Sequence, residues 1–169
     1  VKLEFSDGTT FQLGEGAQAV LNKFIYEPKE KLGGFEATVT KGIFSFKSGA
    51  ISGLNAGRHS TIKTPTAVIG IRGSELAGEV TEDGSTTVVH TSGILDISDA
   101  QGNGTVTLLQ PNTATQVNFG AGAPQPVFKA PTTFLKHLNQ QLDIKAATEQ
   151  KQSQENQNQQ HNQRCNHRA

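Results

Sequence analysis

The chain has 169 residues, enough for one ordinary domain with an appendage, and its 15 basic and 15 acidic residues leave a formal net charge of zero. A nucleic-acid or anionic-membrane binder needs a basic excess on one face, so neither is an expected partner. The single cysteine, Cys165, excludes an internal disulfide and an all-cysteine zinc site, and no run reaches the roughly 18 consecutive apolar residues of a transmembrane helix.

The hydrophobic content of 34% averages an apolar-patterned first three quarters with a polar last quarter, so the core belongs to the first part. Eighteen glycines and nine phenylalanines, with no tryptophan or methionine, suit many short strands joined by tight turns. The chain begins with Val1 rather than methionine. It reads as a mature or truncated product, compatible with a removed export signal.

Val1, Leu3 and Phe5 alternate with Lys2 and Glu4, the pattern of a half-buried strand. Asp7-Gly8 predicts a hairpin turn of type I′, with Phe11 and Leu13 on the returning strand. Further strands are predicted over 19–26, 35–41 and 43–47, separated by a charged, solvated loop at 27–31, by Gly33-Gly34 and by Gly42. Residues 49–59 are small and glycine-rich and read as a loop.

Residues 60–76 are the stretch around which the rest is organised. Ile62, Thr64, Thr66, Val68 and Ile69 favour the pleated conformation, while Pro65 forbids a helix and belongs at a strand start, an edge or a bulge. Gly70 and Gly73 bracket Ile71-Arg72, the setting of a bulge that re-aims the arginine. Strands follow at 79–82, 86–91, 93–98, 105–110 and 114–119, with turns at 83–85, 92–93, 101–104 and 111–112. Turn signals every eight to twelve or so residues without a helical pattern predict an all-β sandwich, barrel or solenoid for residues 1–120. No exact repeat is present, so a regular repeat protein is not expected.

Residues 121–131 read as a linker, with Val127 and Phe128 available to pin it. From 132 the period changes. Phe134, Leu135, Leu138 and Leu142 fall at helical spacing, predicting an amphipathic helix over 132–148 that covers an open end or edge of the β domain or docks on another subunit. Phe134, Leu138 and Leu142 are thereby candidate interaction residues. Residues 149–169 are Gln/Asn-rich and too polar to bury anything, which predicts disorder unless a partner orders them, or strand pairing between chains.

The run Thr64-Pro65-Thr66-Ala67-Val68-Ile69-Gly70-Ile71-Arg72-Gly73-Ser74 closely resembles the signature of FecR-type domains: threonine-proline, a short apolar run, then glycine-apolar-arginine-glycine-threonine. Ser74 stands where threonine is usual. Residues 5–11, 24–28 and 41–49 also resemble the family, in its order, so the likeness spans residues 1–120. It implies a β-helix-like stack of two facing sheets rather than a jelly-roll-like sandwich, a choice that the spacing leaves open. FecR-like domains occur in iron-signalling regulators and in many secreted bacterial proteins, which implies a bacterial, extracytoplasmic setting.

Chemistry is sparse. Gly70-Ile71-Arg72-Gly73-Ser74 lacks the lysine and spacing of a P-loop, and neither a Gly-x-Ser-x-Gly elbow nor a His-Glu-x-x-His pair occurs. His59 and His90 read as surface or edge histidines. His161, Cys165 and His167 carry metal-ligand chemistry, but on a polar tail they offer only an adventitious site, so no metal or cofactor is expected. Asn103-Gly104-Thr105 matches a glycosylation acceptor and reads first as a turn. Arg72 is expected to direct its donors at backbone carbonyls or at a carboxylate such as Glu75, so that Arg72→Ala destabilises the fold; exposed, it would grip a partner's carboxylate.

No catalytic constellation appears, and three non-enzymatic functions follow. The first is an exported binding module at the cell surface or in the periplasm, with a protein or glycan partner. The second is a self-assembling subunit of an extracellular filament or matrix. The third, implied by the resemblance, is the periplasmic part of an iron-uptake signalling regulator. That role requires a transmembrane helix and a cytoplasmic segment that these residues do not contain, and so belongs to a fragment of a longer chain.

Overall fold

A computed structural model describes residues 1–54, 60–120 and 122–142. Ten strands form one sheet: β1 (Lys2–Glu4), β2 (Thr10–Leu13), β3 (Gln18–Glu27), β4 (Leu32–Lys47), β5 (Ser60–Lys63), β6 (Ala67–Val80), β7 (Thr86–Asp99), β8 (Thr105–Leu108), β9 (Thr113–Val117) and β10 (Phe128–Lys129). Residues 132–142 are helical and are called α1.

The chain is thus all-β with a short C-terminal helix, and the sandwich-like reading describes it. Three long strands make the two layers. Residues 32–41 of β4, 67–72 of β6 and 94–99 of β7 lie in a first layer, ordered β3–β4–β5–β6–β7–β8. Residues 42–47, 75–80 and 86–92 of the same strands continue in a second, ordered β1–β2–β4–β6–β7–β9–β10. All pairings are antiparallel except β4 with β5, which is parallel with Phe35 opposite Ser60.

Alternation turns one face of each layer inward. Phe35, Ile62, Ile69, Ile71, Leu95 and Ile97 of the first layer pack with Phe11, Phe44, Phe46, Leu76 and Val88 of the second. Phe35 bridges them, its ring centroid 5.7 Å from Phe11 and 4.9 Å from Phe46. Ile51, fully buried, plugs the core from the short 3-10 turn Ala50–Gly53. Asp7 holds that turn, accepting the Ile51 N–H at 3.0 Å while its main-chain carbonyl accepts the Ala50 N–H at 2.9 Å.

A second core lies on the outer side of the second layer, where Ile43, Val89 and Ala114 meet Leu138 and Leu142 of α1 and Ala130. The neighbours Ile43-Phe44 and Val88-Val89 therefore each send one side chain to either core, as in sheets covered on both faces.

Three expectations change. The strands read at 35–41 and 43–47, and at 86–91 and 93–98, are halves of β4 and β7, because a glycine inside a strand can bend it without ending its pairing. Residues 79–82 likewise overlap the end of β6. The helix covers a sheet face rather than an end or edge, and the stretch before it is not a free linker: β10 pairs with β9, and Pro124 and Ala130 are buried.

Candidate functional site

The signature residues divide between a turn and a corner. Thr64, Pro65 and Thr66 make the turn between β5 and β6: the Thr64 N–H donates to the Ala67 carbonyl at 2.9 Å, and the Ala67 N–H donates to Thr64 Oγ1 at 2.9 Å. Proline suits this place because its fixed φ presets a turn and its nitrogen has no hydrogen to satisfy. The flanking threonines are buried. Thr86 Oγ1 lies 2.7 Å from Thr64 Oγ1 and 2.9 Å from Thr66 Oγ1, and the Thr66 hydroxyl reaches the Gly84 carbonyl at 2.8 Å. Three hydroxyls thus knit the β5–β6 turn to the β6–β7 turn.

Gly73 and Ser74 form the corner where β6 passes from one layer to the other. Gly73 has φ +57°, and beside it Gly93 of β7 has φ +81°. A Cβ on Gly93 would lie 2.2 Å from the Gly73 carbonyl oxygen, so only glycine fits there. Buried Ser74 donates its hydroxyl to the Ile94 carbonyl at 2.6 Å and its N–H to Ser48 Oγ at 3.2 Å, satisfying groups that the register shift between β6 and β7 would otherwise strand. Gly70, also buried, sits in the straight part of β6 between Thr61 and Asp96.

Arg72 projects from the outer face of the first layer. Its Nη2 lies 3.0 Å from Asp96 Oδ2, with the arginine side chain half exposed and the aspartate side chain 11% exposed. Thr107 donates to the other oxygen, Oδ1, at 2.8 Å. The arginine therefore ties β6 to β7 within one layer, through Asp96 rather than the expected Glu75, whose place beyond the bulge lies in the second layer. Nearby, Lys63 and Glu36 pair at 3.0 Å, and Thr38 donates to Asn22 at 2.8 Å. This outer face is a polar ladder without the helical cover that the second layer has.

The concave feature lies beside the Thr64–Ala67 turn. A cleft of about 300 Å³ is lined by Pro65, Thr66, Asp99, Gln101, Phe119 and Gly120 among others, at the small end of the range for ligand pockets. Phe119 is 72% exposed at its rim. Asp99 organises its floor. Burial acts to raise this carboxyl, but donors at Gly104, Gln101 and Asn103 outweigh it and leave Asp99 below the usual carboxylate range. At the β6–β7 turn the Thr81 hydroxyl, followed by the Ser85 N–H, holds Asp83 low in the same way. The sequence marked neither aspartate, nor the cleft, because each belongs to a turn that reads only as a break between strands.

His90 is not at a surface or edge. It is fully buried, with Nδ1 2.8 Å from the Gln110 carbonyl oxygen and Nε2 2.7 Å from that of Gly93. His59 lies outside the described residues, as do His161, Cys165, His167 and the polar tail. Among the described residues no group of three or more His, Cys, Asp or Glu could hold a metal ion, and no helix is long and apolar enough to cross a membrane.

The helical candidates face inward. Leu138 is 1% and Leu142 7% exposed against Ile43, Val89 and Ala114, with Phe134 partly buried beside them. Gln12 of β2 donates to the Leu142 carbonyl, and His137 lies 3.7 Å from Glu79. As interaction residues Leu138 and Leu142 are corrected: the sheet face of the same chain occupies them.

No family model matches the chain, and no curated protein sequence matches it. Among solved structures it is similar to two crystal structures of a "putative anti-sigma factor" from Parabacteroides distasonis ATCC 8503, at 2.50 Å and 1.65 Å. Identities are 15% and 16%, with TM-scores of 0.58 and 0.55; each match covers 80% of this chain and 58% of the solved one. The likeness is one of fold. The chain spans less than two thirds of the length of these structures.

Proposed function

We propose that the chain is a non-catalytic interaction module of the FecR type, working outside the cytoplasm in a bacterial regulatory system. The observation that carries this reading is the coincidence of two independent likenesses: the signature at residues 64–74, placed at the turn and corner that join the layers, and the fold of proteins described as anti-sigma factors. In a regulator the module would receive a partner protein and pass its occupancy along a longer chain. The cleft beside Pro65 and Thr66 is the surface suited to this, because exposed Phe119 stands against a floor fixed by Asp99 and the buried threonines. An exposed aromatic next to rigid backbone is the usual anchor of a protein contact.

The test is a photo-reactive amino acid placed at position 119 in the native organism, with position 82 as a control. A single protein other than this chain, cross-linked from position 119 only, is the expected result, and Gln101→Arg should reduce its yield. Equal labelling from both positions, or none, would overturn the reading. The self-assembling alternative is favoured by one observation, the long free edge of β3.

A further inference from the structure

Four strands end the two layers: β1 with three residues, β8 with four, β10 with two and β3 with ten. Short edges are a common protection against pairing between molecules, and β3 lacks that protection. Among the described residues it pairs with β4 alone, and it has no proline. Three of its exposed positions are apolar, with Val20 57%, Leu21 43% and Ile25 36% exposed, beside the polar Gln18, Asn22, Lys23 and Glu27.

We infer that β3 is a homodimer interface, at which the β3 strands of two copies pair antiparallel about a twofold axis between Asn22 and Lys23. Register and charge carry this. Against β4, Val20 pairs with Thr38, Lys23 with Glu36 and Ile25 with Gly34, which puts these three on the outer face. Leu21 pairs with Ala37 and Phe24 with Phe35, which puts those two on the inner face, and the bulge at Asn22 keeps the alternation in step. The twofold pairing sets Val20 opposite Ile25 of the second copy, both outer, and Leu21 opposite its Phe24, both inner. A slip of one residue either way would oppose inner with outer side chains. A slip of two would set Val20 against Lys23 or Glu27. In the proposed register Lys23 faces Asn22 and Glu27 faces Gln18, so no like charges meet. Isologous contact of this kind is the commonest way in which copies of one chain associate. Of the possible occupants of the edge, a second copy is the one to which β3 is complementary in side-chain size, face and charge. In the first layer β3 lies at the opposite edge from β7 and β8, so the pairing does not depend on the proposed cleft.

The experiment is sedimentation velocity of the full 169-residue chain over a range of concentrations. The expected result is a monomer–dimer equilibrium for the parent. A variant carrying Val20→Glu with Ile25→Glu opposes like charges twice across the axis and should be monomeric while keeping the parental circular dichroism. Val20→Glu with Ile25→Lys opposes unlike charges twice and should restore the dimer. A parent that stays monomeric at about 1 mM, the weak limit of specific association, would overturn the inference. So would a dimer that the Glu/Glu variant leaves intact, or a Glu/Lys variant as monomeric as the Glu/Glu one. Cross-linking of β3 to a different protein in a monomeric chain would assign the edge to that partner instead.

Discussion

At position 93 the backbone is left-handed and an added methyl would meet both the Gly73 carbonyl and the Ser74 hydroxyl. Gly93→Ala should therefore cost both conformational strain and overpacking, together about 2–4 kcal/mol. Gly102 has a similar φ of +79° with nothing near its missing Cβ, so Gly102→Ala should cost only the strain, about 1 kcal/mol. Equal losses in denaturant melts would mean that the corner has room to relax. Asp99 carries a pH signature. Its carboxyl is held low by its turn, so its contribution is present above the unfolded value near 3.8 and is lost as the pH falls through the folded value. Asp99→Asn should destabilise the chain at neutral pH, and the gap to the parent should narrow below about pH 4. A gap constant down to pH 2 would show that the ionised carboxylate is not what the turn holds. Arg72→Ala removes a half-exposed partner from a nearly buried aspartate that keeps Thr107, so a loss of about 1 kcal/mol is expected, near the upper end for exposed pairs.

α1 is an element whose presence the sequence announced and whose place it did not. The spacing of Phe134, Leu135, Leu138 and Leu142 states that one stripe must be covered, but any apolar surface would do. What selects the surface is the doubly apolar run in β4 and β7, where alternation sends Phe44 and Val88 to the inner core and leaves Ile43 and Val89 on the outer face. Leu138→Ala should cost about 2–4 kcal/mol, as for a core leucine, although it lies on a terminal helix. A cost below about 1 kcal/mol in an equilibrium urea melt would mean that the helix only rests on the sheet. Strand existence was legible for a related reason: alternation and β-branched residues are local. Strand continuity was not, because Gly42, Gly73 and Gly93 carry the same letter whether they end a strand or bend it. The roles of Asp7 and His90 depend in part on groups brought from distant turns, the Ile51 N–H and the Gln110 carbonyl, which no local pattern announces, whereas Asp99 is held by donors of its own turn. The sequence marks Arg72 by its flanking glycines, yet its partner Asp96 is set by the β6–β7 register, which the bulge shifts.

Across the whole molecule, β4, β6 and β7 each run through both layers, so no layer can lose its pairing without breaking the strands that build the other. Two separate sheets packed face to face could open like covers. Here the hydrophobic core and the continuous strands fail together, which predicts a single cooperative transition. Tyr26, the one tyrosine and no tryptophan to mask it, reports on the β3 edge of the first layer, while α1 reports on the outer face of the second. Urea melts followed by tyrosine fluorescence and by circular dichroism at helical wavelengths should have coincident midpoints and slopes. Ile71→Ala, on the first-layer part of β6, should lower both midpoints equally, as should Leu76→Ala on its second-layer part. If Ile71→Ala shifted the tyrosine transition alone, the corner at Gly73 and Ser74 would be a hinge between independently stable layers, and the signature residues that build it would act as a joint rather than as a tie.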